Sequence, residues 1–97
     1  MPSVIVISAG DNVATALEPL EPGRVVERDG WTVTVREAIP RGHKMALAPV
    51  AAGAAVIKYG SSIGIATRDI QPGDHVHTHN VASARGRGDL AGERSES

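Results

Sequence analysis

The sequence predicts a small, mainly β domain with one short helix. Three observations carry this: apolar runs that alternate or are β-branched, glycine corners at regular intervals, and a length of 97 residues that holds one modest core. The core must be thin in volume as well. There is no Phe, and Trp31 and Tyr59 are the sole aromatic residues, so burial rests on Val, Ile, Leu, Met and Ala.

From the beginning of the chain, Val4-Ile5-Val6-Ile7 is an unbroken β-branched row, and Ser3 to Ser8 reads as a buried strand ending at Ala9-Gly10. Asp11 or Asn12 then stands where a helix cap belongs. Val13, Ala16, Leu17 and Leu20 follow at helical spacing, which predicts the short helix over Asn12 to Leu20, closed by Pro22-Gly23. From Trp31 to Arg36 the period becomes two, with Trp31, Val33 and Val35 on one face and Thr32, Thr34 and Arg36 on the other.

A weak repeat runs through the rest: an apolar residue, two residues, Gly, two residues, an apolar residue. It occurs at Leu20-Gly23-Val26, Ile39-Gly42-Met45, Val50-Gly53-Val56 and Ile70-Gly73-Val76, with Pro22, Pro40 and Pro72 ahead of three of the glycines. Each copy reads as a tight corner with a positive φ at Gly, followed by a strand. The same pattern is also common in unrelated β proteins. Residues 1–82 are expected to form the domain, and 83–97, rich in Arg, Gly, Ser, Asp and Glu, a flexible tail serving as a solubilising terminus.

The totals exclude several classes of function. A formal net charge of −1 provides no field for drawing in nucleic acid or an anionic membrane, and no stretch approaches the ~18 apolar residues of a membrane span. With no Cys there is neither a disulfide framework nor a thiolate metal site, which suits a cytoplasmic, unprocessed protein.

Four histidines carry the chemistry that remains. His75, His77 and His79 alternate along an expected strand, and His43 follows a glycine corner. Residues two apart on a strand are roughly 6.5–7 Å apart at the backbone, close enough for two imidazoles to turn onto one divalent cation. Lys44 beside His43 and Lys58 beside Tyr59 suit a substrate carrying a carboxylate. Spacing alone leaves the other reading open: a solvated histidine face, and lysine stems laid along the sheet with their heads in water.

The blocks Gly42-His43-Lys44-Met45-Ala46-Leu47, Val56-Ile57-Lys58-Tyr59-Gly60, Ile63-Gly64-Ile65-Ala66, Asp69-Ile70-Gln71-Pro72-Gly73 and Val76-His77-Thr78-His79-Asn80 follow one another in order. From about Asp11 to Asn80 this series resembles the SAF-type small domain of the altronate and galactarate dehydratase family, which includes sulfolactate sulfo-lyases. The resemblance implies a β-clip fold and a small subunit whose main catalytic domain lies on a separate large polypeptide. It also implies a lyase reaction, eliminating water from a sugar acid such as altronate or galactarate or sulfite from sulfolactate, with Fe²⁺ or Mn²⁺ as the metal. On that basis His43 and Lys44 are expected to be catalytic, Lys58, Tyr59 and Asn80 to bind the hydroxy acid, and His77 and His79 to hold the metal. His75 lies outside the Val-His-x-His-Asn block and is weighted below the others. The isolated chain is expected to be inactive. A reading from another class is a non-catalytic SAF-like module that binds a sugar or a metal, as a homo-oligomer without any large partner.

Overall fold

The structure is a computed structural model that describes residues 3–6, 8–28 and 30–83; Ile7 and all but the first residue of the expected tail lie outside them. The described residues are mainly β and contain no helix. Strands β1 (Val4–Ile5), β2 (Val13–Ala16), β5 (Lys44–Ala46) and β8 (His75–Val76) form an antiparallel sheet in the order β1-β2-β5-β8. Strands β3 (Val25–Arg28) and β4 (Trp31–Thr34) make a hairpin, and β6 (Ala55–Lys58), β7 (Ser61–Ala66) and β9 (Val81–Ser83) make a three-stranded sheet.

The expected helix over Asn12 to Leu20 is therefore a strand. β2 lies between β1 and β5 with Val13, Ala14 and Ala16 all buried, and a strand covered on both faces reads as an apolar cluster without alternation. Helical spacing arose from that cluster by coincidence; Leu17, which a helix would bury, is 41% exposed. Nor does Asn12 cap a helix. Its side-chain amide donates to Ala55 O (3.1 Å) and accepts from Ile57 N (2.7 Å), seating it where the β6–β7 register shifts between Val56 and Ile57.

The repeated corners are real turns. In each, the residue after Gly donates its backbone N–H three residues back: Arg24 to Glu21, His43 to Pro40, Ala54 to Ala51 and Asp74 to Gln71. The four glycines have φ between 85° and 91°, the third-position value of a type II turn. The apolar residues that open the copies pair as isolated bridges, Leu20 with Ile39 and Val50 with Ile70, so a corner, hairpin and corner arrangement occurs twice.

The main sheet divides two cores. Ala14, Ala16 and Met45 face Leu20, Val26, Val33, Val35 and Ile39, with Trp31 packed at the edge. Val13, Ala46 and Val76 face Val50, Val56, Ala66 and Ile70 on the other side. Trp31 to Arg36 keeps the expected alternation, with Val33 and Val35 buried and Thr32, Thr34 and Arg36 exposed.

Candidate functional site

β5 and β8 build the site because their register sets two chemistries on opposite faces. Lys44 pairs with Val76, and Met45 with His75, so Lys44 emerges on the face of the second core and His75 on the face of the first. His43, two residues before Met45, joins His75 there, with His43 Nδ1 2.9 Å from His75 Nε2.

β8 ends at Val76, earlier than the period-two reading implied, and residues 77–80 form a turn in which Asn80 N donates to His77 O (3.1 Å). Asn80 is buried at 3% exposure. Its Oδ1 accepts from His77 N (2.9 Å) and its Nδ2 donates to His75 O (2.9 Å), so the amide sets the backbone that carries two imidazoles. The rings still gather: His43 and His77 stack with centroids 4.3 Å apart, His75 lies 5.1 Å from His43 and 5.4 Å from His77, and His79 is 5.4 Å from His75 at a 40° tilt.

A cleft of about 450 Å³ opens beside this group, lined by Lys44, Lys58, Tyr59, Ile63 and His77 among others. Its far wall is the β6–β7 hairpin, whose two-residue loop Tyr59-Gly60 has positive φ at both positions, 57° and 75°. That loop turns Tyr59 outward at 56% exposure, with Lys58 Nζ 4.7 Å from its ring centroid, a cation–π contact. Asp11 Oδ1 accepts from Gly60 N (2.9 Å) and ties the loop to the body.

Of the side chains singled out from the sequence, Lys44, Lys58, Tyr59 and His77 line the cleft, His43 stands against His77, and His79 reaches the group next to His75. One participant was weighted below the others and one was missed. His75 touches all the other imidazoles, and the alternation that included it was the available signal. Glu37 follows β4, and its Oε2 accepts from His75 N (3.0 Å); nothing in the sequence relates positions so far apart. Ligand atoms of His43, His75 and His77 lie within 4.8 Å of one another, as do those of Glu37, His75 and His79.

The electrostatics disfavour protonation of Lys44, His75 and His77. Burial, then repulsion from Lys58, lowers the Lys44 pKa. Desolvation, then the charges of His43, His79 and His77, lowers that of His75 against the opposing pull of Glu37; desolvation, His43, Lys44 and His79 lower that of His77. Neutral imidazoles offer lone pairs to a cation or a proton.

Acid should accordingly destabilise the metal-free fold. Above the unfolded imidazole value of about 6.5 both states are neutral, whereas below it the unfolded chain takes up protons before His75 and His77 do, and stability is lost down to their lowered folded values. Thermal unfolding followed by circular dichroism with chelator present should give a lower Tm at about pH 5.5 than at about pH 7.5. His75→Gln should shrink the difference; an unchanged Tm across that range would contradict the assignment.

Residues 2–84 match the family model of the altronate/galactarate dehydratase SAF domain, and the chain belongs to that family. It is 55% identical over 77 residues to an altronate dehydratase of Escherichia coli (strain K12), covering 79% of this chain and 16% of the relative. It is 40% identical over 81 residues to an altronate dehydratase of Bacillus subtilis (strain 168), again 16% of that protein. With the (2R)-sulfolactate sulfo-lyase subunit alpha of Chromohalobacter salexigens it shares 37% identity over 90 residues, 84% of this chain and 94% of the relative. The chain thus spans 16% of the length of the altronate dehydratases and nearly all of the sulfo-lyase subunit. Among the described residues no helix is long and apolar enough to cross a membrane.

Proposed function

We propose that this chain is the small SAF-type part of a lyase that eliminates water from a sugar acid such as altronate or galactarate, or sulfite from sulfolactate, in the cytoplasm. The bulk of the catalytic apparatus would stand on a separate large subunit. The observation that supports this reading is that Lys44, Lys58 and the His77 imidazole share one cleft. Two ammonium groups suit a carboxylate, and the imidazole suits the proton beside it.

Both leaving groups call for the same sequence of events. The proton on the carbon next to the carboxylate goes to a base, negative charge gathers on the carboxylate as an enediolate, and the bond from the next carbon to hydroxyl or sulfonate breaks, leaving the enol of a 2-oxo acid. Lys58 and Lys44 would hold the carboxylate and meet the growing charge. His77, with its lowered pKa, would accept or return a proton at a ring nitrogen, and His43 stacked on it would share that task. Tyr59 at the rim would narrow the entrance. Asn80 acts here through the backbone of His75 and His77. The imidazole donors fit a divalent cation of the Fe²⁺ or Mn²⁺ kind, with His77 and His79 the pair expected from the sequence. Such an ion would supply Lewis-acid stabilisation of the carboxylate when bound. The cleft is open, and the large subunit would close it against water.

The test is an elimination assay on altronate, galactarate and sulfolactate, with this chain and a large dehydratase-type subunit added singly and together. Turnover is expected only with both, and Lys44→Ala or Lys58→Ala should each lower kcat/KM by about 100-fold or more without preventing association. Full activity in both variants would sink the site assignment. Binding of the acid by this chain alone, with no turnover in any combination, would favour the non-catalytic module.

A further inference from the structure

The two possible ligand sets share His75 but differ in how their donors are aimed. An imidazole lone pair lies in the ring plane, so two parallel stacked rings send their lone pairs alongside each other, while tilted rings can let them meet. The planes of His43 and His77 are 21° apart and those of His75 and His77 11° apart. His43 and His75 face each other at 2.9 Å, nitrogen to nitrogen, and that contact already serves as a hydrogen bond between the two rings. In the three-histidine set, then, the rings stack or satisfy one another. The pair His75 and His79 is different, tilted by 40°, and Glu37 brings a carboxylate within 4.8 Å of both donor nitrogens.

Two histidines with one carboxylate is a ligand set suited to Fe²⁺ and related divalent ions, with positions left open for a further ligand. Glu37 is also held in place, because Oε2 accepts the His75 backbone N–H at 3.0 Å, and a carboxylate has lone pairs to spare after one such bond. The anionic oxygen offsets part of the ion's charge, which three imidazoles cannot do.

We propose that Glu37, His75 and His79 form the divalent-cation site of this chain, with Glu37 its anionic ligand. His77 and His43 are then free of the ion, His77 lining the Lys44–Lys58 cleft as a proton carrier and His43 stacked against it. This deepens the metal part of the preceding reading and reassigns His77 from ligand to proton carrier; the lysine cleft does not depend on it.

Titration of the full, metal-free chain with Co²⁺, read by calorimetry and by the visible absorption of the bound ion, tests the ligand set without any turnover. Glu37→Gln and His79→Ala should each weaken Co²⁺ binding by more than about 100-fold, beyond the loss an outer partner causes. His43→Ala, which removes only an outer hydrogen-bond partner of His75, should weaken it by about 10-fold and leave the spectrum unaltered. Circular dichroism of each variant establishes that the fold is intact. If Glu37→Gln binds Co²⁺ as the parent does while His43→Ala loses it, the ion belongs to the three-histidine set and the inference is overturned. If the parent chain binds no Co²⁺, the metal site is overturned altogether, while the elimination assay on Lys44→Ala and Lys58→Ala still decides the cleft.

Discussion

Gly73→Ala should cost about 3–5 kcal/mol, a large share of the usual margin of about 5–15 kcal/mol. Two effects add. The φ of 91° places any L side chain in left-handed space, at about 1–2 kcal/mol. A Cβ there would also collide with the carbonyl oxygen of Thr34, and backbone has no rotamer by which to escape. The collision cannot be relieved locally, because Gly73 N donates to Ala46 O (2.9 Å) and Gly73 O accepts from Arg36 N (2.9 Å), fastening β4 and β5 to this corner. Gly53→Ala is the matched control: its φ is 90° and nothing lies within 4 Å of the added carbon. It should lose only the conformational part. Urea unfolding of both variants measures the difference, and equal midpoints would show that the close approach to Thr34 carries no weight.

Asn80→Ala should destabilise by about 2–4 kcal/mol and scatter the imidazoles in the same stroke. Removing the amide strands His77 N and His75 O, each worth about 1–3 kcal/mol when buried without a partner. Asn80→Asp separates the two roles: it keeps the acceptor for His77 N and sets a carboxylate against the carbonyl of His75. It should therefore fall between parent and Ala in stability, with His75 displaced more than His77. Ring resonances of the histidines in NMR spectra report this directly. Parent-like histidine resonances in Asn80→Ala would mean that the turn over 77–80 is held by its backbone alone.

What the sequence disclosed depended on how local the constraint was. A tight turn with positive φ admits little besides Gly, so the corners at Gly23, Gly42, Gly53 and Gly73 were legible, whereas the pairing of their opening residues, Leu20 with Ile39 and Val50 with Ile70, was not. Trp31 to Arg36 was legible because one face meets a core and the other water. β2 was not, since both its faces are covered and periodicity loses its meaning there; β-branched Val13 and Thr15 were the better guide. The cleft lysines and His77 stood in ordered blocks, which is what singled them out. Asn80 stood there too, but its part in holding the turn depends on burial, which no block reveals. Glu37 reaches His75 only through the pairing of two corners, a relation written in three dimensions.

Four consecutive residues of this chain answer to four different neighbourhoods. His43 belongs to the imidazoles, Lys44 to the cleft, Met45 to the first core and Ala46 to the second. A slip of one place along this short stretch would thrust an ammonium among the imidazoles and a thioether into the cleft, and would set Ala46 in the first core and Leu47 in the second. The stretch is thus a combination lock: a chain that packs its two interiors correctly has, without further adjustment, also set its imidazole on one face and its ammonium on the other.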